Sequence, residues 1–318
     1  MNHHMVRSGR TRRRRRATTL GAALGCGVLF LGAAAASPAA ASGPHSPWGA
    51  KYVALGDSYT SGPLIPRQVD ANCARSDQNY PSLVAAKWPT STFTDVSCSG
   101  ATTEEMWKPQ GTNGPQLDAL GHSTDLVTVQ IGGNDVGFGS IIGTCAALSS
   151  KDPSGDPCRQ YYNASGVDRL TLNILETAPK LARVLRAVHE RAPHARVLVV
   201  GYPDLLPDDG SGCYPSVPFA AGDFAYLRDV GKRLNLMMRT VAWFNRAEYV
   251  DTYKPTIGHD MCKAPADRWI EPLQPASPAA PAHPNAKGEA AMAQAVLKGL
   301  SRGDARQAKE KTTDVLRP

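Results

Sequence analysis

The chain has 318 residues and a formal charge of +7, with 35 Lys and Arg against 28 Asp and Glu. Seven of the arginines fall within the first 16 residues, so the remainder balances at 28 against 28 and presents no basic excess for nucleic acid. A length of this order suits one domain with a full hydrophobic core.

Residues 1–41 read as an export signal. Arg7, Arg10 and the run Arg12 to Arg16 make a basic start, and Thr18 to Ala36 is rich in Ala, Gly and Leu. Ala39-Ala40-Ala41 before Ser42 then fits a small-residue cleavage site. A membrane anchor fits less well, because a spanning helix needs about 20 strongly apolar residues and Gly21, Gly25, Gly27 and Gly32 interrupt this stretch. The paired arginines leave a twin-arginine route open, and the residues before Cys26 suit a lipoprotein signal poorly. Six cysteines follow: Cys73, Cys98, Cys145, Cys158, Cys213 and Cys262. An even number in an exported chain reads as three disulfides, with the pairing left open. No C-x-x-C spacing occurs, so zinc is not expected.

The first strand covers Lys51 to Leu55 and runs into Gly56-Asp57-Ser58. A helix over Tyr80 to Trp88 and a second strand over Phe93 to Val96 follow. A third strand, apolar from Leu126 to Ile131, ends at Gly132-Gly133. Leu170, Ile174, Leu181, Leu185 and Val188 recur at helical spacing, which predicts a long helix over 168–191 with a kink at Pro179. Arg196 to Gly201 is a fourth strand, Phe224 to Phe244 a second long helix, and Glu248 to Asp251 a fifth strand. A Pro/Ala-rich run, Pro272 to Pro281, leads to a final helix over Asn285 to Leu300. One domain thus spans 42–300, and the charged tail 301–318 is expected to fray after an Arg302-Gly303-Asp304 stop.

Short apolar strands alternating with helices predict an α/β fold, a parallel sheet of five strands covered on both faces. Ligands of such sheets bind beyond the carboxyl ends of the strands. Three strand ends carry unusual residues there: Ser58, then Ser99-Gly100, then Gly132-Gly133-Asn134-Asp135. Each alone is ordinary turn chemistry. Together they suit acyl transfer, in which a serine attacks a carbonyl and nearby N–H donors meet the developing oxyanion. Ser58 N–H, Gly100 N–H and the Asn134 amide could supply those donors.

Such a serine needs a base. His45 lies in the lead, His122 precedes the third strand at the wrong edge, and His189 and His194 sit at a polar helix end. His259 and His283 remain, both in late loops. His283 is favoured because Pro284 suits the first turn of the final helix.

At this point the chain resembles the SGNH hydrolases, also called the GDSL family. The resemblance rests on four blocks in order: Gly56-Asp57-Ser58-Tyr59, Ser99-Gly100-Ala101, Gly132-Gly133-Asn134-Asp135 and His283-Pro284-Asn285-Ala286. The six cysteines and the long loops are similar to those of its secreted actinomycete esterases and lipases. The resemblance implies a three-layer α/β/α fold with Ser58 as nucleophile and His283 as base. It also implies an oxyanion hole of Ser58, Gly100 and Asn134. The pairing Cys73–Cys98, Cys145–Cys158 and Cys213–Cys262 follows from the same likeness.

One departure stands out. The family often places an aspartate three residues before the histidine, where this chain has Ala280. Some secreted members of the family use a backbone carbonyl of this loop instead, so the resemblance implies a main-chain carbonyl near Ala280 as the orienter of His283, with Glu271, Asp267 or Asp260 as alternatives. Asp57 is expected to hold the turn and not to act as a catalytic acid.

Leu64, Ile65, Trp107, Phe138, Ile141 and Ile142 are candidates for an acyl pocket, and the segment between Cys145 and Cys158 for a mobile loop. The expected substrates are small-molecule or lipid esters, with triacylglycerols and simple acyl esters ahead of phospholipids and of acetylated polysaccharide. The expected state is a secreted monomer, with no cofactor and at most transient contact with a lipid surface. A metal-dependent hydrolase lacks its motifs here. A catalytically silent binding module would have no need of Ser58 and His283 together.

Overall fold

A computed structural model describes residues 49–315; the export signal expected over 1–41 lies outside them. Strand β1 (Ala50–Gly56) is followed by a small antiparallel ribbon of β2 (Gln68–Asp70) and β3 (Arg75–Ser76). Strands β4 (Thr90–Asp95), β5 (Leu126–Gln130), β6 (Arg196–Val200) and β7 (Glu248–Val250) complete the main sheet with β1. Its five strands are all parallel, in the order β4-β1-β5-β6-β7.

Nine helices connect and cover the strands among the described residues. They are α1 (Ser58–Ser61), α2 (Tyr80–Ala85), α3 (Gly133–Val136), α4 (Phe138–Ser149), α5 (Pro157–Asn163), α6 (Arg169–Arg191), α7 (Asp223–Phe244), α8 (Tyr253–Thr256) and α9 (Ala286–Val315).

The three layers follow from the period of two along each strand, which sends neighbouring side chains to opposite faces. Val53, Leu55, Val127, Val129, Val197 and Val199 pack on one face with Leu181 and Leu185 of α6 and Met238 of α7. Tyr52, Ala54, Leu126, Leu198 and Val200 pack on the other with Val84 of α2 and Met292, Val296 and Leu300 of α9. Leu55, Val127 and Leu198 have no exposed surface. Burial of such a side chain contributes roughly 1.5–3 kcal/mol. Both faces must be apolar, which is why these strands read as nearly continuous hydrophobic runs.

The long helix α6 contains Pro179 and runs through it. The final helix is longer than the sequence suggested. It does not stop at Arg302-Gly303-Asp304, and the expected frayed tail is helical to Val315. Across the expected stop Arg196 bridges the helix: its guanidinium donates to the carbonyls of Gly299 and Leu300, each at 2.8 Å, and pairs with Asp304 at 3.4 Å. A Cβ on Gly303 would sit 2.0 Å from that guanidinium, so this glycine makes room for the ion pair.

A second difference is the segment between Cys145 and Cys158, expected to be a mobile loop, which lies within the stretch 138–163. That stretch forms α4 and α5, with Ile141, Cys145 and Ser149 buried at intervals of four. The turn between them is tied down: Ala221 N–H donates to Pro153 O at 2.9 Å and Gly222 N–H to Gly155 O at 2.8 Å. The cysteines pair as Cys73–Cys98, Cys145–Cys158 and Cys213–Cys262.

Candidate active site

Ser58 opens the single-turn helix α1 where the chain leaves β1. Gly56 admits no side chain, because a Cβ would lie 2.1 Å from Thr60 Oγ1 and 2.8 Å from the Gln130 carbonyl. The Asp57 carboxylate caps the turn by accepting the Tyr59 N–H at 2.9 Å. Gly62 closes it with φ at 70°, a left-handed conformation that favours glycine. Ser58 is thereby fixed at the carboxyl edge of the sheet, largely buried.

His283, 225 residues further on, stands with Nε2 at 2.7 Å from Ser58 Oγ. Its Nδ1 lies 2.8 Å from the carbonyl oxygen of Pro281. A carbonyl can only accept, so Nδ1 carries the proton and Nε2 is the free lone pair facing the serine hydroxyl. Desolvation by burial pushes the imidazole down to about 4, against a smaller upward pull from the Pro281 carbonyl. The ring is therefore neutral and able to take a proton at neutral pH. It stacks on Tyr59 at 4.6 Å between centroids and meets the edge of Phe138 at 5.7 Å.

The orienting carbonyl belongs to Pro281 and not to Ala280. Ala282 adopts a φ of 60°, and the resulting tight turn has the His283 N–H donating to Ala280 O at 3.2 Å. That occupies the Ala280 carbonyl and leaves its neighbour's for the ring. The Tyr59 hydroxyl holds the turn by donating to Ala282 O at 2.6 Å.

None of the three acids weighed as alternatives bonds the ring. The buried Glu271 carboxylate accepts from Asn285 Nδ2 at 2.8 Å and from the N–H groups of Ala276 and Ser277 at 2.9 and 3.2 Å. Its backbone also exchanges hydrogen bonds with the histidine turn, Glu271 N–H to His283 O at 2.9 Å and Ala282 N–H to Glu271 O at 3.0 Å. Glu271 holds the loop, not the imidazole. The Asp267 carbonyl accepts from His259, whose ring stacks 3.5 Å from Trp269 and is spent on that packing. Asp260 accepts the N–H of Cys262 at 2.9 Å.

The other two strand ends are coupled to this turn. Gly100 has φ at 83°, so its conformation requires glycine. It follows Cys98, which is bridged to Cys73 and donates its N–H to Gly56 O at 3.0 Å. Asn134 spends one amide hydrogen on Ala101 O at 2.8 Å, which leaves the second for a ligand. Asp135 accepts from Thr103 N–H at 2.8 Å and Thr103 Oγ1 at 2.6 Å, joining α3 to the Gly100 loop.

Two partners escaped the sequence reading. The Tyr202 hydroxyl accepts the Gly133 N–H at 2.9 Å and donates to Asp57 Oδ2 at 2.5 Å, so one side chain ties the serine turn to the asparagine turn. Burial raises the Asp57 carboxyl to about 7, while the bonds from Tyr202 and the Tyr59 N–H favour its charged form. Gln116 brackets Gly56, donating to its carbonyl at 2.9 Å and accepting its N–H at 2.8 Å. Tyr202 had one available signal: it lies just past a strand, at the sheet edge that carries the motifs.

Ser58 and Asn134 share a cavity walled by Phe138, Ile141, Ile142 and Leu234. Three of the six apolar candidates are therefore on it. Leu64 is exposed, Ile65 is buried in the core, and Trp107 lies under the Arg183 guanidinium at 4.1 Å. Among the described residues no group of His, Cys, Asp and Glu is arranged to hold a metal ion.

The sequence matches the GDSL-like lipase/acylhydrolase family over residues 54–291. The chain belongs to that family. It is an ester hydrolase, with the α/β architecture of its relatives. It is 41% identical to Lipase 2 of Streptomyces coelicolor over 276 residues, which is 84% of this chain and 91% of that protein. The crystal structure of phospholipase A1 from Streptomyces albidoflavus is similar with a TM-score of 0.67 at 28% identity, covering 79% of this chain and 99% of that one. An extracellular lipase from Streptomyces rimosus is similar with a TM-score of 0.65, again at 28% identity and with the same coverage.

Proposed function

We propose that this hydrolase cleaves carboxylic esters of fatty acyl chains through an acyl-enzyme on Ser58. His283 Nε2 takes the hydroxyl proton as Ser58 Oγ attacks the carbonyl carbon. The negative oxygen that forms is met by the N–H groups of Ser58 and Gly100 and by the free amide hydrogen of Asn134. His283 then returns the proton to the departing alcohol. A water molecule, deprotonated by the same imidazole, releases the acid and restores the serine.

The observation that carries this reading is the 2.7 Å contact between Ser58 Oγ and a neutral His283, at the wall of an apolar cavity. An apolar wall with few polar groups suits an acyl chain. Triacylglycerols and simple acyl esters are the first substrates proposed. A phospholipid acyl ester is the second, favoured by the likeness to phospholipase A1. Export is part of the proposal: three disulfides need an oxidising compartment, and residues 1–41 have the composition of a leader.

The test is hydrolysis of p-nitrophenyl esters from acetate to palmitate by oxidised protein and by Ser58→Ala. The reading predicts turnover that rises with chain length and falls on the order of 10⁶-fold in the variant. Turnover of acetate alone would move the substrate to small acyl esters, and an active Ser58→Ala would remove the serine mechanism.

A further inference from the structure

The acyl cavity is lined by two charged side chains that the ester chemistry does not use, Arg228 and Asp204, and only Arg228 has its polar atoms paired. Asp204 lies just past β6, in the same cavity wall as Ser58 and Phe138, and none of its surface is exposed. Its backbone is fixed, with the N–H donating to Thr256 Oγ1 at 2.8 Å. Its carboxyl group is not: among the described residues neither oxygen has a hydrogen-bond partner. The neighbouring Tyr253 hydroxyl gives its single proton to Asp208 Oδ1 at 2.8 Å.

Nearby cations are committed elsewhere. Lys232 pairs with Asp208 at 2.6 Å, and Arg228 bonds the Asp208 carbonyl and the Asp229 carboxylate. Asp260, the other buried acid of this corner, faces Lys263 at 3.7 Å and the Cys262 N–H at 2.9 Å. Burial lifts the Asp204 carboxyl to about 7; the Tyr253 hydroxyl, close by but already donating to Asp208, pulls it back in part, and Asp260 and Asp208 add to the rise.

A buried polar group left without a partner costs roughly 1–3 kcal/mol, and a fold has little reason to bear that cost in the wall of a cavity unless a ligand meets the group. A buried carboxyl with neither oxygen partnered calls for a group that can donate to it, and accept from it when it is protonated. A hydroxyl does both. The position also limits where that hydroxyl sits. Asp204 follows β6 and Ser58 follows β1, two strands apart in the sheet, which is roughly 10 Å at the usual strand spacing. That offset suits a partner several bonds along the chain from the carbonyl at Ser58.

We propose that Asp204 binds a hydroxyl on the middle of the substrate's acyl chain, making the enzyme selective for mid-chain hydroxyacyl esters over unsubstituted esters of the same length. This rests on the acyl-ester reading above. It adds a polar specificity contact inside the apolar pocket.

The test uses p-nitrophenyl esters of one chain length with the hydroxyl beside the carbonyl, at mid-chain or at the far end, against the unsubstituted ester. Wild type should show kcat/KM about tenfold higher for the mid-chain hydroxy ester, the worth of one additional hydrogen bond. That ratio should fall to one or below in Asp204→Leu and persist in part in Asp204→Asn, whose amide still donates and accepts. A wild-type ratio of one at every hydroxyl position would overturn the proposal and leave a bound water as the carboxyl's partner. A ratio that survives Asp204→Leu would overturn it too.

If Asp204→Leu does not fold, the wild-type positional series and Asp204→Asn still decide. If no ester turns over, the acyl-ester reading itself fails. Calorimetric binding of the free hydroxy acid and its plain analogue to Ser58→Ala then tests Asp204 separately, with about tenfold tighter binding of the hydroxy acid expected and equal binding overturning the proposal.

Discussion

The two halves of the proposed dyad are held in place by different means. The serine turn, Asp57 to Gly62, takes its shape locally, from a glycine on either side and a capping aspartate, and is then tied to its neighbours by Tyr202 and Gln116. The histidine turn, Ala280 to His283, is fixed from a distance. It depends on Glu271 pairing with its backbone, on the Tyr59 hydroxyl, and on Ala280 N–H donating to Pro63 O at 3.0 Å. The shape of the first is written into adjacent residues. The second depends on backbone atoms whose partners are remote in the chain, and it needs no acid to orient the imidazole.

That contrast can be broken from the histidine side most severely at Glu271. Glu271→Ala would remove the acceptor of Asn285 and of two N–H groups and leave Arg268, 3.4 Å away and almost wholly buried, without its charge partner. A loss of about 3–5 kcal/mol in denaturant unfolding is expected, with a fall in kcat because the turn that presents His283 loosens. A change in stability with kcat intact would mean that the turn is held by other contacts.

At the strand ends, Asn134→Ala should cost about 1 kcal/mol of stability for the bond to Ala101 O and lower kcat on the order of 10²- to 10³-fold, with KM little affected, as for loss of one oxyanion donor. An effect confined to KM would place Asn134 in ground-state binding instead. The mildest perturbation is Tyr59→Phe. It keeps the ring stacked on His283 and deletes only the bond to Ala282 O, so thermal unfolding should report a loss of about 1 kcal/mol. A loss several times larger would show that the histidine turn hangs on this one hydroxyl.

The same contrast explains what could be read from the sequence. The five strands and the two long helices carry their period in single residues, and Ser58, Gly100 and Asn134 each follow a strand with a recognisable turn. The choice of His283 over His259 was legible from Pro284 and the start of α9. The orienter was legible only as a neighbourhood, since a carbonyl has no residue identity and the choice between Ala280 and Pro281 lies in the φ of Ala282. Helix α4 was hidden by Gly139, Ser140 and Gly143, although Ile141 and Cys145 already kept a helical interval. Across Gly303, α9 is bridged by Arg196, which is far away in sequence. Tyr202 and Gln116 act through tertiary contacts, marked in the sequence only by the place of Tyr202 just past a strand.

The most direct test of the account is the pH dependence of inactivation by a p-nitrophenyl alkylphosphonate, with the adduct located by mass spectrometry. His283 has its pKa depressed by burial, so the competent neutral imidazole persists as pH falls and is lost only on passing about 4. The account predicts an adduct on Ser58 and a rate that rises with pH through a midpoint near 4. An adduct elsewhere would contradict it. So would a midpoint at or above the ordinary histidine value of about 6.5 that persists in Asp57→Asn, where the nearby carboxyl can no longer titrate.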